Sequence, residues 1–515
     1  MSDTAANEAP GGDLAALARG GRTNLMGFVL RLAARMPFLF IAGRLYGAAA
    51  LGRFASALVV IELTAMVCTV GEKRGLAQRL SEAPEAKPVQ LVFDGLTLAL
   101  IAAAIGALGL WLVPAPMFPS GHYSQTDRLV VLAIPALALT EIMLAAQAYR
   151  FDIGATVRAR AVVEPWTLSI MAGTMYFADR GSGLMLAYVA SVYAALVTAA
   201  WPFLKSYGVP RGWTPHGGRM ILLLVRGLPL AAADTIEWGT RRLDIFILGL
   251  FVAPTAVGVY YVAQQVASLP QKLKSSFEPI LGPVLTRKLK ERDYAAIARQ
   301  VCQVGFWITA AQAGVGLALG IPGKAIMGLI GPNFVGGTGA LGLLLAAEVV
   351  ASTAVVSEAA LVYVARLRNL LVSVGTITLQ ALLTVAAMWG VGRLGLNENF
   401  RAAGAAAALM LALGVASVVK AGLLSRILGH RVNNWRWPLV WAAAAAAVTG
   451  RIVILFPEWF QLTIGLAAIL GVYGGIIWSR GFGPEDRVLF TRKITEDEPG
   501  EGLLVEPSSQ RSFPG

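Results

Sequence analysis

Long apolar segments alternate with short polar ones along most of the chain, from Asn24 to about residue 479. A helix needs about 20 mostly apolar residues to cross the hydrocarbon core of a bilayer. The pattern therefore predicts an all-α polytopic membrane protein with about 14 transmembrane helices, the fifth and eighth of them short. The predicted spans are 24–43, 51–70, 89–112, 129–148, 165–177, 184–203, 226–250, 256–271, 301–319, 338–364, 370–390, 402–424, 438–456 and 460–479.

The polar loops differ in their content of Lys and Arg. If residues 1–23 form a cytoplasmic polar tail, the loops on the cytoplasmic side carry 22 Lys and Arg, and those on the far side carry six. Because Lys and Arg accumulate in cytoplasmic loops, both termini are predicted to be cytoplasmic. Residues 1–23 lack the short apolar run of a secretory signal, and residues 480–515 are predicted to be a disordered cytoplasmic tail.

The chain contains an internal repeat at an offset of 206 residues. Arg35–Ala57 then faces Arg241–Ala263 without a gap, and seven of 23 pairs are identical, including Gly52 with Gly258. Both copies run in the same direction, which predicts a parallel repeat with the substrate between the halves. The predicted units are an N-terminal six-helix bundle (24–203), a cytoplasmic linker (204–225), a C-terminal six-helix bundle (226–424) and two additional helices (438–479). A coincidence of membrane composition is the alternative.

Composition narrows the class of protein. The 515 residues are 56% hydrophobic and only 14% charged, which excludes a soluble enzyme, a nucleic-acid binder and a disordered scaffold. The net charge of +13 is then loop charge that faces an anionic membrane surface. The two cysteines, Cys68 and Cys302, lie far apart in apolar segments, and no disulfide framework is expected.

Enzyme motifs are absent from the sequence. Gly323-Lys324 is followed by Ala325 and lacks the first glycine of a P-loop, no Asp-x-Asp pair occurs, and the three histidines are scattered. The sequence therefore predicts neither catalytic residues nor a metal or other cofactor.

Basic residues occur within two of the predicted spans. Arg31 and Arg35 are spaced i, i+4 in the first helix, and Arg241 and Arg242 lie in the seventh, its repeat equivalent. A buried arginine costs at least about 2.5–3.5 kcal/mol, so such residues normally face a bundle interior or a wet cavity. We predict that these four residues line a cationic cavity for an anionic, phosphate-bearing substrate, because guanidinium groups bind phosphate oxygens bidentately. The alternative is internal pairing, for example of Arg241 with Glu237 or Asp244.

Acidic residues within the spans form a second set. Glu348, Asp94 and Glu141 are predicted to couple transport to a proton or sodium ion, since buried carboxylates are common relay groups in membranes. Structural pairing with basic residues is the alternative.

Several motifs resemble those of a known family. The sequence features are Leu243-Asp244, Gly249, Val257-Gly258-Val259-Tyr260, Ala263, Pro279 and Pro283, with Gly43, Gly52-Arg53-Phe54 and Gly71 in the first half, and Gly331-Pro332-Asn333-Phe334 and 363–369 downstream. Over about residues 24–424 the chain resembles the O-antigen flippase-like polysaccharide biosynthesis family of the multidrug/oligosaccharidyl-lipid/polysaccharide exporter superfamily.

The resemblance implies two six-helix bundles that work by alternating access. The implied substrate is an oligosaccharide on a polyprenyl diphosphate, flipped from the cytoplasmic to the outer leaflet of the bacterial inner membrane for O-antigen (lipopolysaccharide), capsule or exopolysaccharide synthesis. The implied partners are this lipid-linked oligosaccharide, the bilayer and other polysaccharide-assembly membrane proteins, with no nucleic acid. Related flippases bind the diphosphate with cavity arginines, which agrees with the charge pattern above.

Other functions stay open at this stage. A cation-coupled multidrug exporter of the same fold would be expected to have an acidic cavity. A membrane polysaccharide polymerase or a polyprenol-sugar transferase would be expected to have a large external loop, whereas no predicted external loop exceeds about twenty residues. A structural partner within a synthesis complex is a further alternative.

Overall fold

The structure is a computed structural model that describes residues 36–82, 88–150, 152–210, 213–215, 217–274, 285, 288–289, 291–484 and 486–489. Helices are the only regular secondary structure in this part of the chain. Among these residues, nine helical stretches are long and apolar enough to cross a membrane. The protein is therefore an all-helical, multi-pass membrane protein. Each predicted span falls on a helix, although residues 24–35 of the first span lie outside the described residues.

The described residues up to Tyr207 contain seven α-helices. They are α1 (36–46), α2 (Gly47–Cys68), α3 (Glu72–Glu82), α4 (Pro88–Leu112), α5 (Ala133–Tyr149), α6 (153–178) and α7 (Gly183–Tyr207). The fifth predicted span is longer than expected, because α6 begins with a turn and a π-helical stretch, Val157–Val163, whose arginines interrupt the apolar pattern.

The segment 71–88, predicted as a loop, contains helix α3 instead. The chain reverses at Val70 and Gly71, with φ of 51° and 71°, and glycine adopts this left-handed conformation readily. Leu76 and Leu80, one turn apart, are buried against the N-terminal half. The helix therefore forms because it has an apolar face, although the segment is too polar to cross a membrane.

The C-terminal half and the additional helices are also built from long apolar helices joined by shorter segments. They are α8 (Gly217–Phe251), α9 (Pro254–Lys274), α10 (Tyr294–Gly320), α11 (Gly323–Ile330), α12 (Thr338–Val364), α13 (Arg366–Arg393), α14 (Glu398–Leu428), α15 (Trp437–Val453) and α16 (Glu458–Gly481). The side chains of Asp293 and Asn397 cap α10 and α14 by accepting hydrogen bonds from backbone amides three residues on. Pro254 is the first residue of α9, a position at which a backbone N–H has no partner within the helix, so proline is tolerated there. With 21 residues, α9 is longer than the eighth predicted span, 256–271.

The two halves share one large apolar core, most of which lies toward one end of the molecule, and the smaller cores each stay within one half. We name the end where α2 and α9 begin the closed end, and the end where they finish the split end. The shared core includes Phe54 of α2, Tyr260 of α9 and Leu341 of α12. The remaining cores each stay within one half. One is built from α3, α4, α5 and α7, a small one from α5, α6 and α7, and one from α10, α12 and α14 with α15 and α16.

Candidate functional site

The repeat-related helices α2 and α9 cross at the closed end with their backbones in contact. A Cβ atom on Gly52 would lie 1.7 Å from the carbonyl oxygen of Pro254, and one on Gly258 would lie 2.0 Å from that of Ala48. Ala48 and Pro254 are separated by the repeat offset, as Gly52 and Gly258 are. The contact is therefore symmetric, and only glycine at both positions allows this approach.

Arg242 of α8 lies at the seam between the two halves. Its Nε is 4.0 Å from Oε2 of Glu62 on α2, and its Nη1 donates a 3.2 Å hydrogen bond to Oε1 of Gln264 on α9. The side chains of Arg242 and Glu62 are 24% and 29% exposed. Arg242 therefore contacts one side chain from each half and is about three-quarters buried.

Asp244 lies two residues further along α8 and is fully buried. Its Oδ2 accepts a 2.6 Å hydrogen bond from the Tyr260 hydroxyl and a 3.0 Å hydrogen bond from the Gln264 amide. Gln264 therefore connects Asp244 to Arg242. These bonds join α8 to α9 and give Asp244 a structural role.

The other predicted cavity arginines are only partly described. Arg31 and Arg35 lie outside the described residues, and Arg241 is placed on α8 beside Arg242 by its backbone alone. The meeting of four guanidinium groups in one cavity stays a prediction.

Two of the predicted coupling acids are paired with basic residues. Glu141 of α5 is 3.0 Å from Nζ of Lys73 and 2.5 Å from Nη2 of Arg160 on α6. Asp94 of α4 is buried, accepts a 2.8 Å hydrogen bond from Nε1 of Trp213 and lies 3.8 Å from Nη1 of Arg219. These contacts agree with the structural alternative and leave a role in ion coupling as a prediction.

Glu348, the third predicted coupling acid, lies half-buried near the middle of α12. One turn away, the hydroxyl groups of Ser352 and Thr309 are 2.7 Å apart, which joins α12 to α10. Its coupling role also stays a prediction. The described residues contain no group of three His, Cys, Asp or Glu that could hold a metal ion, and Cys68 and Cys302 are free thiols.

Two further ion pairs escaped the sequence analysis. Arg74 of α3 pairs with buried Asp234 of α8 and so crosses the seam at the split end. Lys420 of α14 is buried, with its Nζ 2.9 Å from Oε2 of Glu358 on α12. Arg74 lies between the predicted spans 51–70 and 89–112, and Lys420 lies near the end of the predicted span 402–424. An acid within an apolar stretch, such as Asp234, signals that a basic partner must exist, but it does not identify that partner.

Solved structures of transporters share this architecture. An inward-facing multidrug resistance MATE family transporter of the MOP superfamily has a TM-score of 0.63 at 15% identity, over 78% of this chain and 98% of that chain. The lipid II flippase MurJ, in an inward closed conformation, has a TM-score of 0.64 at 11% identity, over 88% and 99%. A MATE transporter of Vibrio cholerae in the bent form has a TM-score of 0.55 at 13% identity, over 81% and 98%. Identities this low show a common fold alone.

The sequence itself matches one family. No protein with a curated description matches it significantly. The family described as polysaccharide biosynthesis protein matches residues 41–309, which is just over half of the chain. The family expected from the motifs is therefore confirmed: this chain belongs to the polysaccharide biosynthesis protein family and has the fold that MATE transporters share with the lipid II flippase.

Proposed function

We propose that this protein is a flippase for a polyprenyl-diphosphate-linked oligosaccharide. It would turn the substrate from the cytoplasmic to the outer leaflet of the bacterial inner membrane, by alternating access, for O-antigen, capsule or exopolysaccharide synthesis. The observation that carries the proposal is the uneven packing of the two halves, whose shared apolar core lies mostly toward the closed end, while the smaller cores each stay within one half. Family membership supports a polysaccharide pathway.

Loop charge supports an orientation for this cleft. The loops at the split end are those with 22 Lys and Arg, against six at the closed end. By the positive-inside rule the split end faces the cytoplasm, and both termini lie on that side. In this orientation we propose that a cleft between the two six-helix bundles opens toward the leaflet that supplies the substrate.

Arg242 supports a role for guanidinium groups in substrate binding. Its distance of 4.0 Å from Glu62 is long for an ion pair, and a diphosphate could replace that carboxylate with shorter bidentate bonds. The exchange would release this side-chain contact between Glu62 of α2 and Arg242 of α8, which we propose links substrate binding to movement of the halves. We propose that Arg31, Arg35 and Arg241 contribute to the same site.

A complementation experiment tests the function and the site. Deletion of the gene should abolish surface polysaccharide and accumulate lipid-linked repeat units inside the cell. Arg35→Ala, Arg241→Ala and Arg242→Ala should restore less than about a tenth of the polysaccharide, because each loses a charged hydrogen bond to phosphate. The control is Arg451→Ala, which changes an exposed arginine on α15 and should restore it fully. Full rescue by all three variants would remove the site, and normal polysaccharide in the deletion strain would remove the function.

The second candidate function is cation-coupled multidrug export, which the fold shared with MATE transporters favours. Glu348, Asp94 and Glu141 would then be the first residues to test for ion coupling. Drug susceptibility of the deletion strain separates the two functions. Increased susceptibility with unchanged polysaccharide would favour export.

A further inference from the structure

A pocket of about 400 Å³ lies at the split end, between α3 and the first part of α8. Its α3 wall includes Arg79 and Glu82, and its α8 wall includes Arg226 and Leu230. The walls therefore belong to different halves of the molecule. The volume is within the range of about 300–1,000 Å³ that is typical of small-molecule sites.

The depth of this pocket in the membrane follows from the length of α8. Gly227, which lines the pocket, precedes the closed-end residue Phe251 by 24 residues. At 1.5 Å per residue this is about 36 Å, slightly more than the thickness of the hydrocarbon core, about 30 Å. The pocket thus lies at the boundary between the lipid headgroups and the acyl chains. Val225 and Leu228, beside it on α8, are 63% and 62% exposed and are suited to contact acyl chains.

The charged groups of the pocket leave one cation and one anion available to a ligand. Arg79 is 2.5 Å from Oε2 of buried Glu72, so these two residues neutralise each other. Glu82 accepts a 2.6 Å hydrogen bond from Gln78 but has no ion pair in the described part of the chain. Arg226 is exposed and also has no ion pair among those residues. The free cation is on the α8 wall, and the free carboxylate is on the α3 wall.

We propose that this pocket binds the headgroup of an ethanolamine phospholipid. The Arg226 guanidinium holds the phosphate, and the Glu82 carboxylate accepts a hydrogen bond from the ammonium group. A choline headgroup has no N–H to donate, and an anionic headgroup such as that of phosphatidylglycerol has no cation for Glu82. Basic pockets between helices are known lipid headgroup sites, and the added carboxylate selects a zwitterion.

The bound lipid bridges the two halves. The pocket adjoins the Arg74–Asp234 pair and a close contact between the turn after α2 and α8, where a Cβ on Gly227 would lie 2.0 Å from the Val70 carbonyl oxygen. A headgroup seated on both walls stabilises this arrangement of the split end. The inference goes beyond the proposed function, because it does not depend on which substrate is transported.

Native mass spectrometry of the purified full-length protein tests the proposal. Phosphatidylethanolamine, phosphatidylcholine and phosphatidylglycerol are titrated separately, and the ethanolamine lipid is expected to bind about tenfold more tightly than the others. Arg226→Ala should weaken that binding about tenfold, and Arg226→Lys, which keeps the cation, should retain most of it. Glu82→Gln should abolish the preference over phosphatidylcholine. Arg368→Ala, at another exposed arginine of the split end, is the matched control and should change nothing.

Three results would overturn the proposal. They are equal binding of the three lipids, an Arg226→Ala variant that binds as the unchanged protein does, or equal weakening by Arg368→Ala. Soluble phosphoethanolamine distinguishes the source of the headgroup. If it binds as tightly as the lipid, the ligand is a soluble phosphate ester and the lipid assignment is wrong.

Discussion

Several charged side chains within the helices of this protein bind partners on other helices. Glu141 binds Lys73 and Arg160, Lys420 binds Glu358, and Asp244 accepts bonds from Tyr260 and Gln264. Unpaired, each of these groups would lose its hydration without compensation. The contact of Arg242 with Glu62, at 4.0 Å, is longer than the Glu141 and Lys420 pairs.

The Tyr260 hydroxyl provides a prediction about stability. Tyr260→Phe removes a 2.6 Å hydrogen bond to a buried carboxylate, so the free energy of unfolding should fall by about 1–3 kcal/mol. Thermal unfolding in detergent measures this loss. Tyr188→Phe is the control, because Tyr188 is also buried and its hydroxyl has no hydrogen bond in the described residues. Equal effects of the two substitutions would contradict the role given to Tyr260.

At the scale of helices, close contact depends on the smallest side chains. The crossing of α2 and α9 at Gly52 and Gly258 brings backbone against backbone, as small residues do at helix interfaces in membranes. Since the two glycines are repeat equivalents, this one contact sets the position of the N-terminal half relative to the C-terminal half. This crossing fixes the closed end.

Gly52→Ala should disrupt the closed end. Its methyl group would meet the Pro254 carbonyl oxygen, and the overlap should cost about 1–3 kcal/mol or force the helices apart. The midpoint of thermal unfolding measures the effect. Gly342→Ala on α12, where a Cβ meets nothing within 4 Å, should leave the midpoint unchanged. An unaffected Gly52→Ala variant would show that the crossing is not tight in the membrane.

The additional helices α15 and α16 are tied to α10 by Asp486, which follows α16. Its carboxylate accepts hydrogen bonds of 2.8 Å from Nε1 of Trp307 and 2.7 Å from Nη1 of Arg436, and a further one from the Gly483 amide. Burial alone would raise the pKa of Asp486, but the bonds from Arg436, Gly483 and Trp307 outweigh it and hold the pKa below its usual value. This group anchors the C-terminal helix pair.

The lowered pKa of Asp486 predicts acid sensitivity of this anchor. A folded-state pKa below the unfolded value of about 3.9 contributes stability above that pH, and the contribution is lost as the pH falls through the folded pKa. Asp486→Asn should therefore lower the unfolding free energy by about 2 kcal/mol at pH 7 and flatten the loss of stability below about pH 4. Unfolding curves of both proteins between pH 7 and pH 3 test this, and parallel curves would contradict it.

At the scale of the whole molecule, most of the apolar core that the two halves share lies toward the closed end, and at the split end α8 contacts the N-terminal half through Gly227 and Asp234. In the proposed orientation, we expect the remainder of the seam to open toward the cytoplasm. The conformation is decided by where the two halves bury apolar surface against each other. Ala55 on α2 is fully buried in the shared core, whereas Ser268 on α9 is partly exposed, one turn beyond Gln264 toward the split end.

Cysteine labelling tests this arrangement. In a protein with Cys68→Ala and Cys302→Ala, Ser268→Cys should react with a water-soluble maleimide from the cytoplasmic side at least about tenfold faster than Ala55→Cys does from either side, because opening a packed core costs free energy. Faster labelling of Ser268→Cys from the outside would reverse the proposed orientation. Equal rates at the two positions would contradict the one-sided cleft.

The sequence by itself determined the helices and the family. A membrane helix satisfies its own backbone hydrogen bonds, so the length of an apolar run is enough to locate it, and the predicted spans fall on helices accordingly. At α3 and at the start of α6 the sequence is polar, and the apolar pattern predicts loops there. The structure has helices with polar faces at both places. The repeat identified Gly52 and Gly258 as equivalent without indicating that they touch.

Only the tertiary structure decided which residues meet. Glu62 and Arg242, Arg74 and Asp234, and Lys420 and Glu358 lie on helices that are distant in sequence, and several acids could have served each base. Partner choice depends on how helices rotate and cross, which is set by the packing of many side chains at once and by no local pattern. The difference between the closed and split ends likewise depends on how the two halves pack against each other, and the sequence pattern of each half does not indicate it.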